Sequence, residues 1–251
     1  MKKITILLIV LISKSIFGQV EKSYIATYNY INVGLDVSES VNLYIEGNKS
    51  LTIFYNDTIK RKNDFDEEGN FNLNIEGSDK IGKKVYKNLK DKTIVFRDFY
   101  SKDGKFRPCI VEESLPNFEW IFDTKEKKIG SYLCKFAKLK FRGREYYVWY
   151  STQIPISHGP WKFYGLPGLI MEVKSKDSKI SFVLNKIKES NSLSDVIKTP
   201  KEGDKILFDD YIKYKENAVN DFIKNLYAKL PRGAKITVNS SNEDYNLEKE
   251  F

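Results

Sequence analysis

Apolar and polar residues alternate with a period of two along most of this chain, which restricts it to strands that bury one face and wet the other. Val41, Leu43 and Ile45 alternate with Asn42, Tyr44 and Glu46. After Gly47-Asn48 the row Leu51, Ile53, Tyr55 alternates with Thr52, Phe54 and Asn56, which predicts a hairpin turning near Glu46 to Lys49. Further strands are expected over Tyr24 to Val33, Phe71 to Ile75, Lys83 to Leu89, Thr93 to Tyr100 and Phe106 to Glu113, separated by turn-prone Asp, Gly, Asn and Lys clusters. The clearest hairpin sets Ala137, Leu139 and Phe141 inward, turns at Arg142-Gly143-Arg144-Glu145, and returns through Tyr146, Val148 and Tyr150. Its Lys138, Lys140 and Arg142 then form a basic row, read as a solvated sheet face.

Near the C-terminus the period changes. Ile212, Val219, Phe222, Ile223, Leu226 and Leu230 recur at helical spacing behind Asp209-Asp210, and Pro231-Arg232-Gly233 ends the run. Such a stripe is expected to pack on a sheet. The fold class is therefore mainly β with a C-terminal α-helix: an antiparallel curved sheet or half-barrel of roughly 8–11 strands and one long packed helix over about 209–230. No low-complexity linker divides the chain, so 19–240 reads as a single domain and 241–251 as a loose tail.

The first 18 residues carry a different signal. Lys2 and Lys3 precede the apolar run Ile4 to Ile12, too short for the roughly 20 residues that span a bilayer but long enough for a secretory leader. Cleavage after Gly18 would leave Gln19 first. The chain is expected to be exported, to the periplasm, an outer-membrane association or the medium. Of the formal net charge of +8, Lys2, Lys3 and Lys14 would leave with the leader. What remains is a mild excess spread among alternating acids, with none of the dense basic patches that make nucleic acid a partner. In an oxidising compartment the two cysteines, Cys109 and Cys134, are candidates for one disulfide, and two cysteines with one histidine supply too few ligands for a zinc site. No metal or other cofactor is expected.

The most unusual stretch runs from Trp149 to Ile170. Pro155, Pro160 and Pro167 fix φ, while Gly159, Gly165 and Gly168 permit tight turns or close backbone approach, so the segment reads as a rigid aromatic loop. Gly165-Leu166-Pro167-Gly168-Leu169-Ile170 spells the hexapeptide after which the GLPGLI family of Gram-negative envelope proteins is named, and the chain resembles that family. Trp120, Ile129 to Ala137, Phe141 to Arg144, Trp149-Tyr150, Ile154-Pro155-Ile156 and Gly159-Pro160 extend the resemblance over roughly Trp120 to Val173. One departure is Ser131, which separates Gly130 from Tyr132 where the family more often places them side by side. The resemblance implies an envelope protein and no established reaction, cofactor or catalytic residue. By looser analogy, a sheet curling round a helix is similar to the half-barrel carriers of the periplasm, which is an argument about fold and not function.

Two classes of function follow. The first is a non-catalytic module: either an accessory protein for a periplasmic or outer-membrane partner, with the loop closing the sheet, or a carrier holding a lipid or acyl chain, with Trp149, Trp161, Phe163 and Tyr164 at the mouth of its cavity. A cavity of some 300 Å³ or more beside the loop would favour the carrier. The second class is a hydrolase using His158 with Ser157, Cys109 or Cys134 as nucleophile and Glu172 or Asp177 as orienter. Adjacent Ser157 and His158 point in opposite directions on an extended chain, and no nucleophile-elbow pattern surrounds any serine. The cluster Asp64, Asp66, Glu67 and Glu68 reads as a solvated loop and not a glycosidase pair. The reading of the sequence is therefore an accessory protein rather than an enzyme, in which His158 is dispensable for folding. Neither the partner nor the oligomeric state is legible.

Overall fold

The computed structural model describes residues 22–35, 37–55, 58–59, 63–65, 71–73, 77–79, 81–102, 105–227 and 247–248. The leader, the Gln19 cleavage site, the end of the proposed helix at 228–230 and most of the tail lie outside the described residues, as do Asp66, Glu67 and Glu68. The strands are β1 (Ser23–Asn32), β2 (Val37–Glu46), β3 (Lys49–Phe54), β4 (Thr58–Ile59), β5 (Asn63–Phe65), β6 (Phe71–Leu73), β7 (Gly77–Ser78), β8 (Lys84–Asn88), β9 (Thr93–Lys102) and β10 (Lys105–Ser114). They continue with β11 (Ile121–Ile129), β12 (Tyr132–Phe141), β13 (Arg144–Ser151), β14 (Leu169–Ser175), β15 (Ile180–Ser190) and β16 (Asp204–Ile206), and one α-helix among the described residues, α1 (Phe208–Tyr227), follows.

Twelve strands form one sheet in the order β11-β12-β13-β14-β15-β1-β2-β3-β8-β9-β10-β16. Every pairing is antiparallel except the short parallel addition of β16 to β10. The short β4, β5, β6 and β7 form two small ladders of their own, β4 with β7 and β5 with β6. The mainly antiparallel architecture with a C-terminal helix is the one expected, though the sheet is wider than 8–11 strands. Within the large sheet three strands escaped the alternation reading, as did the short β4, β5 and β7 outside it. The edge strand β11 is polar and wet on both faces, so it has no period to detect. In β15 a register shift opposite Thr27/Tyr28 interrupts the pattern, and β16 is only three residues long.

The sheet curls without closing. Seven strands separate β13 from β10 in the sheet order, yet Arg142, in the turn that leads into β13, reaches Glu113 of β10 at 2.5 Å. The inner face carries the main core, with Tyr28, Leu43, Ile45, Ile94, Leu139, Tyr146, Val148 and Phe182 all buried. In β3 both sides are covered: Phe54 packs against Tyr30 and Phe182, while Leu51 lies with Tyr86, Leu193 and Ile197 in a second, smaller cluster. The helix meets β9 through aromatic residues outside the predicted stripe, Tyr211 against Phe96 and Tyr214 against Tyr100. The side chains of Val219, Phe222, Ile223 and Leu226 are outside the described residues, and Ile212 is half-buried.

The hairpin between β12 and β13 has its inward row as expected, but Arg142 leaves the basic row. At φ 44 for Arg142 and 71 for Gly143, the two turn residues have the left-handed geometry of a tight type I′ connection. That turn swings the guanidinium off the wet face into a buried ionic cluster. The cysteines are not bonded: Cys109 and Cys134 are both free and buried, on strands separated by eight others in the sheet order. Their thiols contact the carbonyls of Asp98 and Tyr132. Of the tail expected to be loose, Leu247 and Glu248 are docked, because Glu248 pairs with Arg142 and Lys162.

The glycines of the signature hexapeptide are needed for two different reasons. Gly165 sits at φ 89, a left-handed conformation open to glycine. A Cβ on Gly168 would lie 2.1 Å from the carbonyl oxygen of Ser151, a backbone atom no rotamer change can move. Gly168→Val is expected to cost about 1–3 kcal/mol of stability in urea unfolding, through overpacking.

Candidate functional site

The segment between β13 and β14 crosses the inner face of the sheet and is pinned on its far side. Leu169 and Ile170 donate their amides to the carbonyls of Ile154 and His158, at 2.9 and 3.1 Å, folding the segment into an Ω-like excursion with close ends. Within it, Ser157 Oγ donates to Leu166 O at 2.9 Å, and Gly165 N to Ser157 O at 3.2 Å. Trp120 Nε1 and the Tyr164 hydroxyl tie it to the chain entering β11, through Tyr164 O and Pro116 O.

Its anchor is Lys87 of β8, a residue with no exposed surface. The Nζ donates to Gly159 O at 2.7 Å, Trp161 O at 2.8 Å and Phe163 O at 2.7 Å. Burial pushes the Lys87 pKa well below the ordinary lysine value. The ligand set works the other way, since an ammonium has three N–H donors for three carbonyls, whereas a neutral amine would turn a lone pair toward one of them. Holding those carbonyls on one centre accounts for Trp161, whose φ of 51 is a conformation that bulky residues rarely adopt.

His158 is 1% exposed, and its Nε2 lies 3.1 Å from Gly47 O in the β2–β3 turn. Because a carbonyl only accepts, Nε2 carries the proton, and the buried Nδ1 has no hydrogen-bond partner. Burial, then the nearby Lys87 charge, lowers its pKa to about 3, partly offset by Gly47 O. The ring faces a backbone carbonyl rather than the hydroxyl or thiol of a proposed nucleophile. Ser157 is committed to Leu166 O, Cys109 contacts Asp98 O, Glu172 pairs with Lys127 and Lys174, and Asp177 pairs with Arg144. His158 is packed and hydrogen-bonded in the core, so its replacement is expected to cost stability, against the expectation from sequence.

The four aromatics assigned to a ligand mouth do not come together. Trp161 and Phe163 are buried in the core beside Phe141 and Tyr146. Tyr164 is half-buried against Phe118. Trp149 lies on the other face of the sheet, against Phe136 and beneath the Lys127 ammonium at 4.5 Å. Beside the loop is a cavity of about 160 Å³, lined in part by Trp161, Lys162, Asp98, Lys215 and Glu248. It is smaller than the roughly 300 Å³ of typical ligand pockets, and its lining mixes these charged groups with apolar residues such as Phe54, Val85 and Phe96. Another depression, of about 490 Å³, lies away from the loop, among Asn29, Ser38, Ser40 and Tyr55. Among the described residues there is no cluster of three or more His, Cys, Asp or Glu placed to hold a metal, and no helix long and apolar enough to cross a membrane.

Sequence reasoning missed Lys87, Glu113 and the inward turn of Arg142. Lys87 left a readable signal: it stands two residues after Val85, so it shares that residue's inward face, where a lysine requires buried acceptors.

A family described as a protein of unknown function, Porph_ging, matches residues 142–172, the stretch from the β12–β13 turn through the loop into β14. No curated protein matches the sequence. Two crystal structures of PNGF-II are similar over 80% of this chain, each with a TM-score of 0.53 and identities of 14% and 15%. The match covers 34% and 33% of the PNGF-II chains, so this chain spans about a third of their length and shares a fold with that part. An uncharacterised conserved protein from Thermus thermophilus matches 80% of this chain and 99% of its own at 8% identity and a TM-score of 0.40.

Two outcomes test this geometry. Lys87→Met strands three buried carbonyls and should destabilise by roughly 3–5 kcal/mol in urea unfolding. His158 stays neutral in the fold down to about pH 3, whereas the unfolded chain takes up a proton near 6.5. Stability should therefore be full above pH 6.5 and fall as pH drops below it, approaching about 1.4 kcal/mol per pH unit. Since the chain has one histidine, His158→Gln should flatten the slope between about pH 5 and 6.5.

Proposed function

We propose that this chain is an exported envelope protein of the GLPGLI type that works without catalysis, as an interaction module for a periplasmic or outer-membrane protein. The observation that carries this reading is where the signature loop is used. Its carbonyls serve Lys87, its histidine serves Gly47, and its aromatic rings fill the core, so the loop closes the sheet and presents no reacting group.

The surface this reading offers a partner is the β11 edge, one of the two edges of the open sheet. No described strand pairs with its outer side, and Ile121, Phe122 and the neighbouring Leu133 are 59%, 57% and 44% exposed. Addition of a partner strand uses such a row of open backbone groups. Lys125, Lys127 and Lys128, with a register shift between Phe122 and Glu126, discourage indiscriminate pairing and leave the edge to a chosen strand. A carrier role has less support, because the cavity beside the loop is small.

A photo-crosslinking residue at the exposed Thr124, in cells of the native host, should give one dominant protein adduct, and the same probe at Lys198 should not. Adducts equally frequent at both positions would remove the case for the β11 edge, and a lipid adduct would revive the carrier.

A further inference from the structure

The fold gathers on one side of the sheet lysines that the sequence spreads among acids. Lys125 and Lys127 of β11, Lys138 and Lys140 of β12, and Lys174 with Lys176 at the end of β14 lie on the outer face, opposite the core. Further along that face β15 adds Lys186 and Lys188, paired with Thr27 and Ile25. Among the described residues of β11 to β14 the acids on this side are Asp123, Glu145 and Glu172, fewer than the lysines. Glu126 pairs with Lys135, in register with the inward Tyr150, and so lies on the other face. Glu172 is shared by Lys127 at 2.8 Å and Lys174 at 3.4 Å, Glu145 takes Lys176 at 2.9 Å, and Asp123 takes Lys125 at 3.6 Å. The Lys176 hydrogen bond holds the Glu145 carboxyl below its ordinary pKa, and the charges of Lys140 and Lys138 act in the same sense. Aromatic rings pin three of the ammoniums to the sheet: Lys127 over Trp149 at 4.5 Å, Lys125 over Phe136 at 5.4 Å and Lys138 over Tyr147 at 5.8 Å.

Strand register sets this face out in rows. Lys138, Tyr147, Lys174, Ser181, Ile31 and Ser38 are successive partners across β12, β13, β14, β15, β1 and β2. The adjacent row runs Phe136, Trp149, Glu172, Val183, Asn29 and Ser40 across the same strands. Both rows therefore lead from the lysines into the depression of about 490 Å³, which Asn29, Ile31, Ser38, Ser40 and Tyr55 line with Glu39 as its charged member. We propose that these two rows bind a linear acidic polysaccharide, with its carboxylates over Lys138 and Lys174 and neutral sugars in the depression.

Spacing and lining select the ligand class. Neighbouring strands lie about 4.8 Å apart, so Lys138 and Lys174, two strands from each other, present charges at intervals of about 10 Å. A glycan with a carboxylate on alternate sugars matches that interval, whereas a nucleic acid strand carries a phosphate about every 3.4 Å. In the depression, Asn29, Ser38 and Ser40 exchange hydrogen bonds with sugar hydroxyls, and the exposed Ile31 and Tyr55 meet the C–H face of a ring. Glu39 repels a carboxylate from that end and so favours a neutral sugar there. A bilayer fits less well, because the outer face of a curled sheet is convex and the rings among the lysines, Phe136, Tyr147 and Trp149, are buried or half-buried and do not protrude. The surface is separate from the open side of β11, so this role goes beyond the protein-partner reading and does not depend on it.

The test is calorimetric titration of the full chain at low ionic strength with a hyaluronan decasaccharide, in which glucuronate alternates with a neutral sugar. A dextran oligosaccharide, oligo-dT and phosphatidylcholine vesicles doped with phosphatidylglycerol are titrated beside it. Hyaluronan should bind best of the four and weaken as salt is added. Joint replacement Lys138→Ala and Lys174→Ala should lower its affinity about tenfold or more, as should Ser40→Trp, which fills the depression, whereas Lys198→Ala should not. Urea unfolding midpoints show which variants keep the fold, and if Ser40→Trp does not, the exposed lysine pair decides alone. Oligo-dT bound as tightly as hyaluronan, dextran bound equally, or vesicles bound in preference each overturns the proposal, in favour of any polyanion, a neutral glycan or a membrane. Absence of hyaluronan binding, or binding indifferent to the lysine pair, also overturns it. The Thr124 crosslink reports on the protein partner separately, so each idea can fail without the other.

Discussion

One ammonium group ties the long loop of this sheet to a strand on its opposite side. Lys87 rises from β8 and gathers three carbonyls of a segment that leaves from β13 and returns to β14. A cation centred on backbone oxygens does here what a bound metal does in other small domains: it converts an irregular loop into a fixed element. The difference is that the centre is part of the chain, so the loop is ordered as soon as the strands pair. Burying a charge is costly, and the structure recovers that cost only when all three oxygens are in place.

The rest of the interior follows from that closure. With the loop drawn across the inner face, Trp161 and Phe163 fill the space between Phe141 and Tyr146, and Lys162 between them reaches the other end of the sheet. The curl that brings β10 toward the β12–β13 turn is held by ion pairs from Arg142 and Lys162 to the same glutamate. Such pairs act through specificity of geometry as much as through net stability, since their attraction is set against desolvation. The family match over residues 142–172 coincides with this closing apparatus, from Arg142 to Glu172. The part of the sequence that is most distinctive is thus the part that shuts the sheet.

How much could be read beforehand depended on whether a residue's environment is local. The inward rows Ala137, Leu139, Phe141 and Tyr146, Val148, Tyr150 were legible because period-two alternation reports a strand with one wet face. β11 was not, because an edge strand in water has no reason to alternate. The β3 alternation was visible but not its sense, since the segment carrying Leu193 and Ile197 covers the side that would otherwise face water. The demand for glycine at 165 and 168 was legible from chemistry alone. The partner of Lys87 was not, because its acceptors lie more than 70 residues away and are backbone atoms that carry no sequence signature. For the same reason the four loop aromatics looked like a ligand mouth: composition shows that rings are close in the chain, not which face of the sheet each one occupies.

The two thiols contribute to the molecule by remaining thiols. Burial, with Asp98 nearby, pushes the Cys109 thiol up to about 12, and burial also raises Cys134, so neither presents the thiolate through which oxidation and exchange proceed. No cross-link contributes to the sheet, whose order rests on packing and on the Lys87 centre. The fold consequently has no stake in the redox poise around it. A reductant finds no bond between the two cysteines to break.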